Sequence, residues 1–432
     1  MNKVQNIKIG LLGCGTVGQG VYNLLQMNRD KYQPVLNNTN LEITKILVND
    51  INKKRPNIPQ ELLTTDPDEI LNDENIDIII EVIGGTTKAQ DYIKKALLKG
   101  KHIVTANKDL MAINAQELLD LGNKAGRQIR YEASVAGAIP IISTIKENIL
   151  SNKITKVMGI INGTTNFILT KMFNEDRDLK DVLKEAQELG YAEADPTSDI
   201  EGLDAARKIA VLASIAFNRS VVLNDVYVEG ITAISVDDVN YAKLFNSTIK
   251  LLGIAVNNEQ GIEVRVHPTL LPMSHPLAKV DDVYNAIYIE GNAFGDLTLI
   301  GKGAGSLPTA SAVVADLLSI VKDMNRNIIS YENRSCYLDT EIMEIEDTLT
   351  HFYIRMIVLD RTRVLSKITE AFADNDVSID SVIQKKLENN LAELVILTDK
   401  VLNKNMMNAK VQIENLEVVK EIKSLIRSEK EY

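Results

Sequence analysis

The chain has 432 residues, 45% hydrophobic and 25% charged, with a formal net charge of −11. That length gives a prior of about three domains, and the composition is that of a globular protein with a full core. The acidic balance argues against nucleic acid as a partner, and no apolar run approaches the roughly 20 residues that span a bilayer, so no membrane role is expected.

The N-terminus enters a strand-like run at once, with no signal-peptide pattern. Cys14 and Cys336 stand far apart and in no metal spacing, and His102, His267, His275 and His351 are scattered. A reducing cytoplasm is expected and a zinc site is not. Residues 7–12 form a short apolar run, followed by Gly13-Cys14-Gly15-Thr16-Val17-Gly18 and a helical pattern through Val21, Leu24 and Leu25. Strand, glycine turn and helix together are the dinucleotide-binding context. Gly13 allows the tight turn, Gly15 lets a pyrophosphate approach, and Gly18 lets the helix sit close on the strand.

A second strand over 41–48 ends at Asn49-Asp50, where this fold meets the adenosine ribose. Asp50 favours a free 2′-hydroxyl, whereas Lys53, Lys54 and Arg55 favour a 2′-phosphate, unless they are merely a solvated loop. Coenzyme preference stays open on charge alone. Alternation continues with strand 76–83, helix 87–99, strand 102–105, helix 110–123 and strand 128–131. Repeated units of this kind predict a parallel, doubly wound sheet that binds ligands beyond its strand ends. Gly84-Gly85-Thr86-Thr87 follows one strand and Thr105-Ala106-Asn107-Lys108 another. A lysine at a helix start opposes the dipole preference, which sets Lys108 apart from an ordinary surface lysine.

Beyond the small-residue turn 132–140, the pattern changes. Residues 153–161 read as a strand, and Asn162-Gly163-Thr164-Thr165-Asn166 as a turn with a capped helix start. The stretch 186–208 then combines a loop rich in carboxylates (Glu193, Asp195, Asp199) with a helix. Ser198 and Glu201 have capping-box spacing, and Asp204 and Lys208 share a face. An Asp–Lys pair is ordinarily a solvated salt bridge. Here the crowd of acids calls for something cationic, such as the ammonium of a free amino acid, and the spacing is not that of an EF-hand. Strands over 226–231, 262–268, 285–290 and 297–300 suggest an open mixed sheet. Gly301-Lys302-Gly303-Ala304-Gly305 and a helix over 309–321 would return the chain to the first domain. Residues 324–347 read as a linker, and 352–426 follow the βαββαβ order of a ferredoxin-like unit.

Taken together, the G-C-G-T-V-G turn, T-A-N-K, N-G-T-T-N and A-x-x-x-G-Y-A-E-A-D-P-x-x-D-I-x-G-x-D-x-x-x-K resemble the homoserine dehydrogenase family. The resemblance covers essentially the whole chain, and the last unit resembles the family's regulatory ACT domain. It implies an N-terminal Rossmann-type domain over 1–140 completed by 301–323, a mixed α+β substrate and dimerisation domain over 141–300, a linker over 324–347 and an ACT domain over 348–432. The implied reaction is reduction of L-aspartate 4-semialdehyde to L-homoserine with NADPH or NADH, on the route to threonine and methionine. A homodimer or higher homo-oligomer, joined through the middle sheet, is the implied assembly. Carried over, Lys208 is the proton donor and Lys108 the second catalytic lysine, with the two lysines expected to lower each other's pKa. Glu193 and Asp204 bind substrate with support from Asp199. Gly13 to Gly18, Asn49, Lys108, Gly190 and Gly303 line the coenzyme. The turn of Glu132, Val135, Gly137 and Ile139 resembles a monovalent-cation site, for sodium, made mostly of backbone carbonyls.

Two positions depart from the family. Asn49 stands where a basic residue is common, leaving 2′-phosphate recognition to Lys53, Lys54 or Arg55. Arg363 stands where ACT domains that bind amino acids usually carry glycine, so threonine is expected to bind poorly and 350–432 to serve mainly in assembly. Two rival functions are an aldehyde-oxidising semialdehyde dehydrogenase, disfavoured because it needs a cysteine nucleophile, and a non-catalytic sensor of dinucleotide and amino acid.

Overall fold

The computed structural model describes residues 6–328 and 338–430, and all that follows concerns those residues. Its first sheet is parallel throughout, in the order β3-β2-β1-β4-β5-β6. The strands are β1 (Asn6–Leu12), β2 (Asn40–Leu47), β3 (Leu63–Thr64), β4 (Ile78–Glu81), β5 (His102–Thr105) and β6 (Ile129–Arg130). Alternate residues serve two cores. Ile78 and Ile80 face the Thr16–Met27 and Ser306–Asn325 helices, which pack on each other, while Ile79 faces the Thr87–Leu98 and Lys108–Ala125 helices. Burial on both faces explains the unbroken apolar runs. The order reverses between β1 and β4, which opens a crevice above their carboxyl ends.

The second sheet runs β12-β11-β7-β9-β10-β17-β13-β15-β14. Its middle-region strands are β7 (Ile154–Ile160), the short β8 (Tyr227–Val228) beside β10, β9 (Ser247–Asn257), β10 (Ile262–Pro272), β11 (Tyr284–Gly291) and β12 (Gly295–Lys302). Those of the C-terminal unit are β13 (Leu349–Leu359), β14 (Ile379–Lys386), β15 (Leu391–Thr398), β16 (Val401–Leu402) and β17 (Val419–Ser428). The two units share one sheet because β10 pairs with β17 at Thr269–Arg427 and Leu270–Ser428. Buried charge seals the joint. Arg355 on β13 donates to Asp238 at 2.7 Å and to Glu393 at 2.8 Å, and Arg427 on β17 donates to Glu229 at 2.8 Å.

Three features differ from the sequence reading. β9 is a long central strand absent from it, as are the Leu179–Glu188 and Val236–Leu244 helices. The capping box at Ser198 and Glu201 does not form: Thr197–Ile200 is a separate short helix, and Leu203–Phe217 starts from Gly202, whose left-handed φ of 81° turns the chain sharply. Within 324–347, the helix persists to Asn325, and Ile342 bridges Ile262 beside β10. Residues 329–337, with Cys336, lie outside the described residues.

Arg363 caps the Val364–Ala373 helix with φ 70°, the left-handed geometry that glycine adopts freely, and its side chain is exposed. The backbone turn is therefore kept and the cationic chain points to solvent. The left-handed penalty of roughly 1–2 kcal/mol exceeds the entropy a glycine adds to the unfolded chain, up to about 1 kcal/mol. Arg363→Gly should accordingly stabilise the fold by up to about 1 kcal/mol, read as a higher denaturant midpoint at unchanged slope. A lower midpoint would show that the Arg363 side chain makes a compensating contact.

Candidate active site

The glycine turn has the three local properties its spacing requires. Gly13 has φ 106° and a Cβ there would lie 2.8 Å from the Val82 carbonyl oxygen. Gly15 has open space on its side-chain face, and a Cβ on Gly18 would overlap the Gly13 carbonyl. The Thr16–Met27 helix begins at Gly15 without a side-chain cap, so its first N–H groups remain for an anion. Arg55 folds back over the turn, donating to the carbonyls of Cys14 at 3.3 Å, Asp50 at 2.9 Å and Lys53 at 2.8 Å. Lys53 and Lys54, like Asn49 and Asp50, are exposed. Ser306 donates to the Thr16 carbonyl at 2.7 Å and so ties the returning helix to the same turn.

Across the crevice, Gly84 and Gly85 have φ of 73° and 72°. Asn107 donates to the Gly85 carbonyl at 2.7 Å and accepts the Leu110 N–H at 3.1 Å, capping the Lys108–Ala125 helix. The capped start projects Lys108 onto Asp204 of the Leu203–Phe217 helix. That ion pair explains a cation at a helix N-terminus: a buried carboxylate close to Nζ outweighs the unfavourable dipole. The other carboxylate oxygen of Asp204 accepts from Lys208 at 2.6 Å and from the Asn162 amide at 2.9 Å. Lys208 also donates to the Ile161 carbonyl at 2.8 Å.

Asn162 is the residue that sequence reasoning left as a helix cap. Its Oδ1 does accept the Thr165 N–H at 2.9 Å, and this fixes which way the amide faces. Nδ2 therefore points at two acids, Asp204 and, at 2.7 Å, Asp199. The cap was legible in the sequence, whereas its partners lie 37 and 42 residues away.

Burial alone would push the Asp204 carboxyl up, but the ammonium groups of Lys208 and Lys108 outweigh it and hold the group well below the usual carboxylate range. Lys108 moves in the opposite sense to the expectation. Burial would lower it, yet the Asp204 carboxylate lies closer than any competing cation and the net shift is upward. For Lys108 the charge that counts is this anion, which stands between it and the second lysine.

The remaining expected residues are placed as follows. Glu193 is exposed and unbonded to this cluster; its turn is tied down where Thr164 donates to the Tyr191 carbonyl at 2.7 Å. Gly190 is exposed with φ 77°. At Gly303 a Cβ would overlap the Asn285 side chain, and at Gly137 (φ 55°) a Cβ would lie 2.5 Å from the Gly303 carbonyl oxygen. The two turns are thus in close contact. Glu132 spends its buried carboxylate on the N–H groups of Ile142 and Ser143, both at 2.7 Å, so only its carbonyl remains for an ion. Ala136, next to Gly137, is also left-handed at φ 55°. The buried Asn285 Oδ1, against Gly303, has no hydrogen-bond donor among the described residues. An orphaned acceptor beside a strained turn of carbonyls fits a hard cation.

Family models match three segments: homoserine dehydrogenase over residues 140–318, its NAD-binding domain over 13–132 and an ACT domain over 352–415. A homoserine dehydrogenase of Bacillus subtilis is 44% identical over 98% of each chain. The crystal structure of a homoserine dehydrogenase from Thiobacillus denitrificans superposes with a TM-score of 0.92 at 39% identity, covering 99% of each chain. A hyperthermophilic archaeal homoserine dehydrogenase in complex with NADPH matches with a TM-score of 0.62 at 26% identity, over 73% of this chain and 98% of the other.

A carboxylate whose folded pKa is depressed contributes stability above its unfolded value, and that contribution is lost as pH falls through the folded one. Asp204→Asn should therefore cost on the order of 2 kcal/mol at neutral pH, less than a fully buried pair because Lys108 is partly exposed. The gap from the parent should narrow below about pH 4. Denaturant titrations at pH 7 and pH 3 check this, and a gap that did not change with pH would mean that Asp204 is already neutral.

Proposed function

This chain belongs to the homoserine dehydrogenase family, and on that premise we propose which of its residues carry the reaction. It is an NAD(P)-dependent oxidoreductase that reduces L-aspartate 4-semialdehyde to L-homoserine. The observation that supports the residue roles is the Lys108–Asp204–Lys208 cluster facing the crevice turns. The coenzyme, when bound, supplies the hydride. Attack on the aldehyde carbon builds negative charge on its oxygen, which must be neutralised and protonated. Lys208 spends two of its three N–H donors on Asp204 and Ile161, and the third serves the substrate oxygen as hydrogen bond and then as proton. Lys108, kept cationic by Asp204, supplies positive charge to the same oxygen. Asp204 aligns both ammonium groups, and with Glu193 it meets the substrate ammonium; Asp199 supports it through the shared Asn162 amide.

The coenzyme pyrophosphate would lie over Gly13 to Gly18, with Asn49, Lys108, Gly190 and Gly303 completing its surroundings. Arg55, held beside the glycine turn, is the basic residue best placed for a 2′-phosphate, so NADPH is accepted despite Asp50. We assign the carbonyls of Glu132, Val135, Gly137 and Ile139 to a sodium ion, with Asn285 beside them. The domain limits and the homodimer inferred from the sequence, and a cytoplasmic setting, complete this reading; no helix among the described residues is long and apolar enough to cross a membrane. The comparisons lend no support to a non-catalytic sensor, and Cys14, buried in the glycine turn, is poorly placed as a nucleophile.

NADPH oxidation with L-aspartate 4-semialdehyde tests the activity directly. Lys208→Ala should lower kcat about 10²–10⁴-fold while coenzyme Kd stays near the parent value, because the glycine turn is untouched. Near-parental kcat would reduce Lys208 to a salt-bridge partner.

Arg55→Ala should weaken kcat/KM for NADPH at least about tenfold more than for NADH, a difference of about 1.4 kcal/mol. Steady-state kinetics with both coenzymes decides it. Equal losses would mean that Arg55 only braces the loop.

A further inference from the structure

Three acids face the task of holding the substrate ammonium, and the structure does not equip them equally. Asp204 has both oxygens taken: Lys108 meets one, while Lys208 at 2.6 Å and the Asn162 amide at 2.9 Å meet the other. One carboxylate between two ammonium groups leaves that cluster net positive, which opposes the approach of a third cation. Glu193 is exposed, so solvent and salt screen its pull. Asp199 differs from both. It is half-buried, its Oδ1 accepts the Asn162 amide at 2.7 Å, and its Oδ2 has no partner among the described residues. Its backbone is fixed as well: the Gly202 N–H donates to the Asp199 carbonyl at 3.0 Å, and the Ile231 N–H to the Ile200 carbonyl at 2.8 Å.

Asn162 makes this arrangement possible. Thr165 donates to its Oδ1 through N–H and hydroxyl, both at 2.9 Å, so the amide cannot turn over without losing two bonds. Nδ2 is thereby aimed at Asp199 and Asp204 together, and its two N–H groups let the carboxylates stand side by side. Because one nitrogen joins them, Asp199 lies within a small molecule's reach of Lys208. In L-aspartate 4-semialdehyde a single methylene separates the carbon bearing the ammonium from the aldehyde carbon. A substrate whose oxygen takes the third N–H of Lys208 has its ammonium close to that pair of acids.

We propose that Asp199 is the principal acceptor of the substrate ammonium and that Asn162 is the positioning residue that presents it, while the charge of Asp204 serves mainly the two lysines. The inference rests on the reaction proposed above and apportions the substrate's recognition among these acids.

The test uses the full chain and compares kcat/KM for L-aspartate 4-semialdehyde with that for succinic semialdehyde, which has the same aldehyde and carboxylate but no ammonium. The parent should prefer the amino aldehyde by at least about a hundredfold, because acceptors left unpaired reject an analogue that lacks their donor. Asp199→Asn keeps the shape, removes the charge and should lower that preference about tenfold or more. Asp204→Asn loosens both lysines, so it should slow both aldehydes together and leave the preference within about threefold of the parent. Asn162→Ser keeps a helix cap but is too short to hold the acids, and should lower the preference at least about threefold. A preference that survives Asp199→Asn, or one that collapses in Asp204→Asn, overturns the inference. Should Asp199→Asn not fold, an unchanged preference in Asn162→Ser overturns it in the same way. If the unaltered chain reduces L-aspartate 4-semialdehyde but prefers it less than about tenfold, the inference falls while the activity stands. If it reduces neither aldehyde, the proposed activity falls and the inference falls with it.

Discussion

A carboxylate shared between two ammonium groups is worth its desolvation only if further donors hold it and water is kept away. Asp204 meets both conditions: it is buried, and the Asn162 amide supplies the additional donor. Much of the surrounding architecture serves that arrangement. Lys108 arrives from the parallel sheet, Lys208 from the same helix one turn on, and Asn162 from the end of β7. Arg207 pairs with Asp109 at 3.1 Å and so clamps the two helices beside the cluster. The contacts cross between the coenzyme-binding unit and the middle unit, so the site exists only when both are folded and docked.

Local chemistry was legible in the sequence and long-range partnership was not. The glycine turn, the rim turns and the acidic stretch each announced themselves through residue types at short spacing. β9 escaped because Ser247–Asn257 is buried on both faces and shows no alternation. The helix start near 200 was misplaced because Gly202, in left-handed geometry, broke what looked like one continuous helix into two. The Lys108 shift reversed sign for a similar reason: the sequence pairs Asp204 with Lys208 four residues on, but does not show that the same carboxylate also meets Lys108, 96 residues away.

The C-terminal unit is joined more intimately than a tethered module would be. β17 extends the middle sheet through β10, and Arg427 packs over the rings of Tyr227 and Phe352 while binding Glu229 and Asn403. Next to Glu229, Gly230 presses on the Ile200–Glu201 backbone, and the Ile231 N–H donates to the Ile200 carbonyl at 2.8 Å. Asp199 is the preceding residue. A continuous run of packed and bonded groups therefore leads from β17 to the acid that shares an amide with Asp204.

The returning helix Ser306–Asn325 carries a consequence for biosynthesis. Val313, Leu317, Ile320 and Val321 cover the face of the first sheet built from Ile7, Ile9, Ile78 and Ile80. A ribosome releases those strands long before it releases their cover, at about 5–20 residues per second. For the interval in which the intervening chain is made, the nascent sheet has the Thr16–Met27 helix and a few flanking side chains such as Tyr32 and Leu36 to shield that apolar face. The first unit to emerge is thus among the last to be sealed, and this delay leaves its isoleucine-rich strands open to chaperones or to one another.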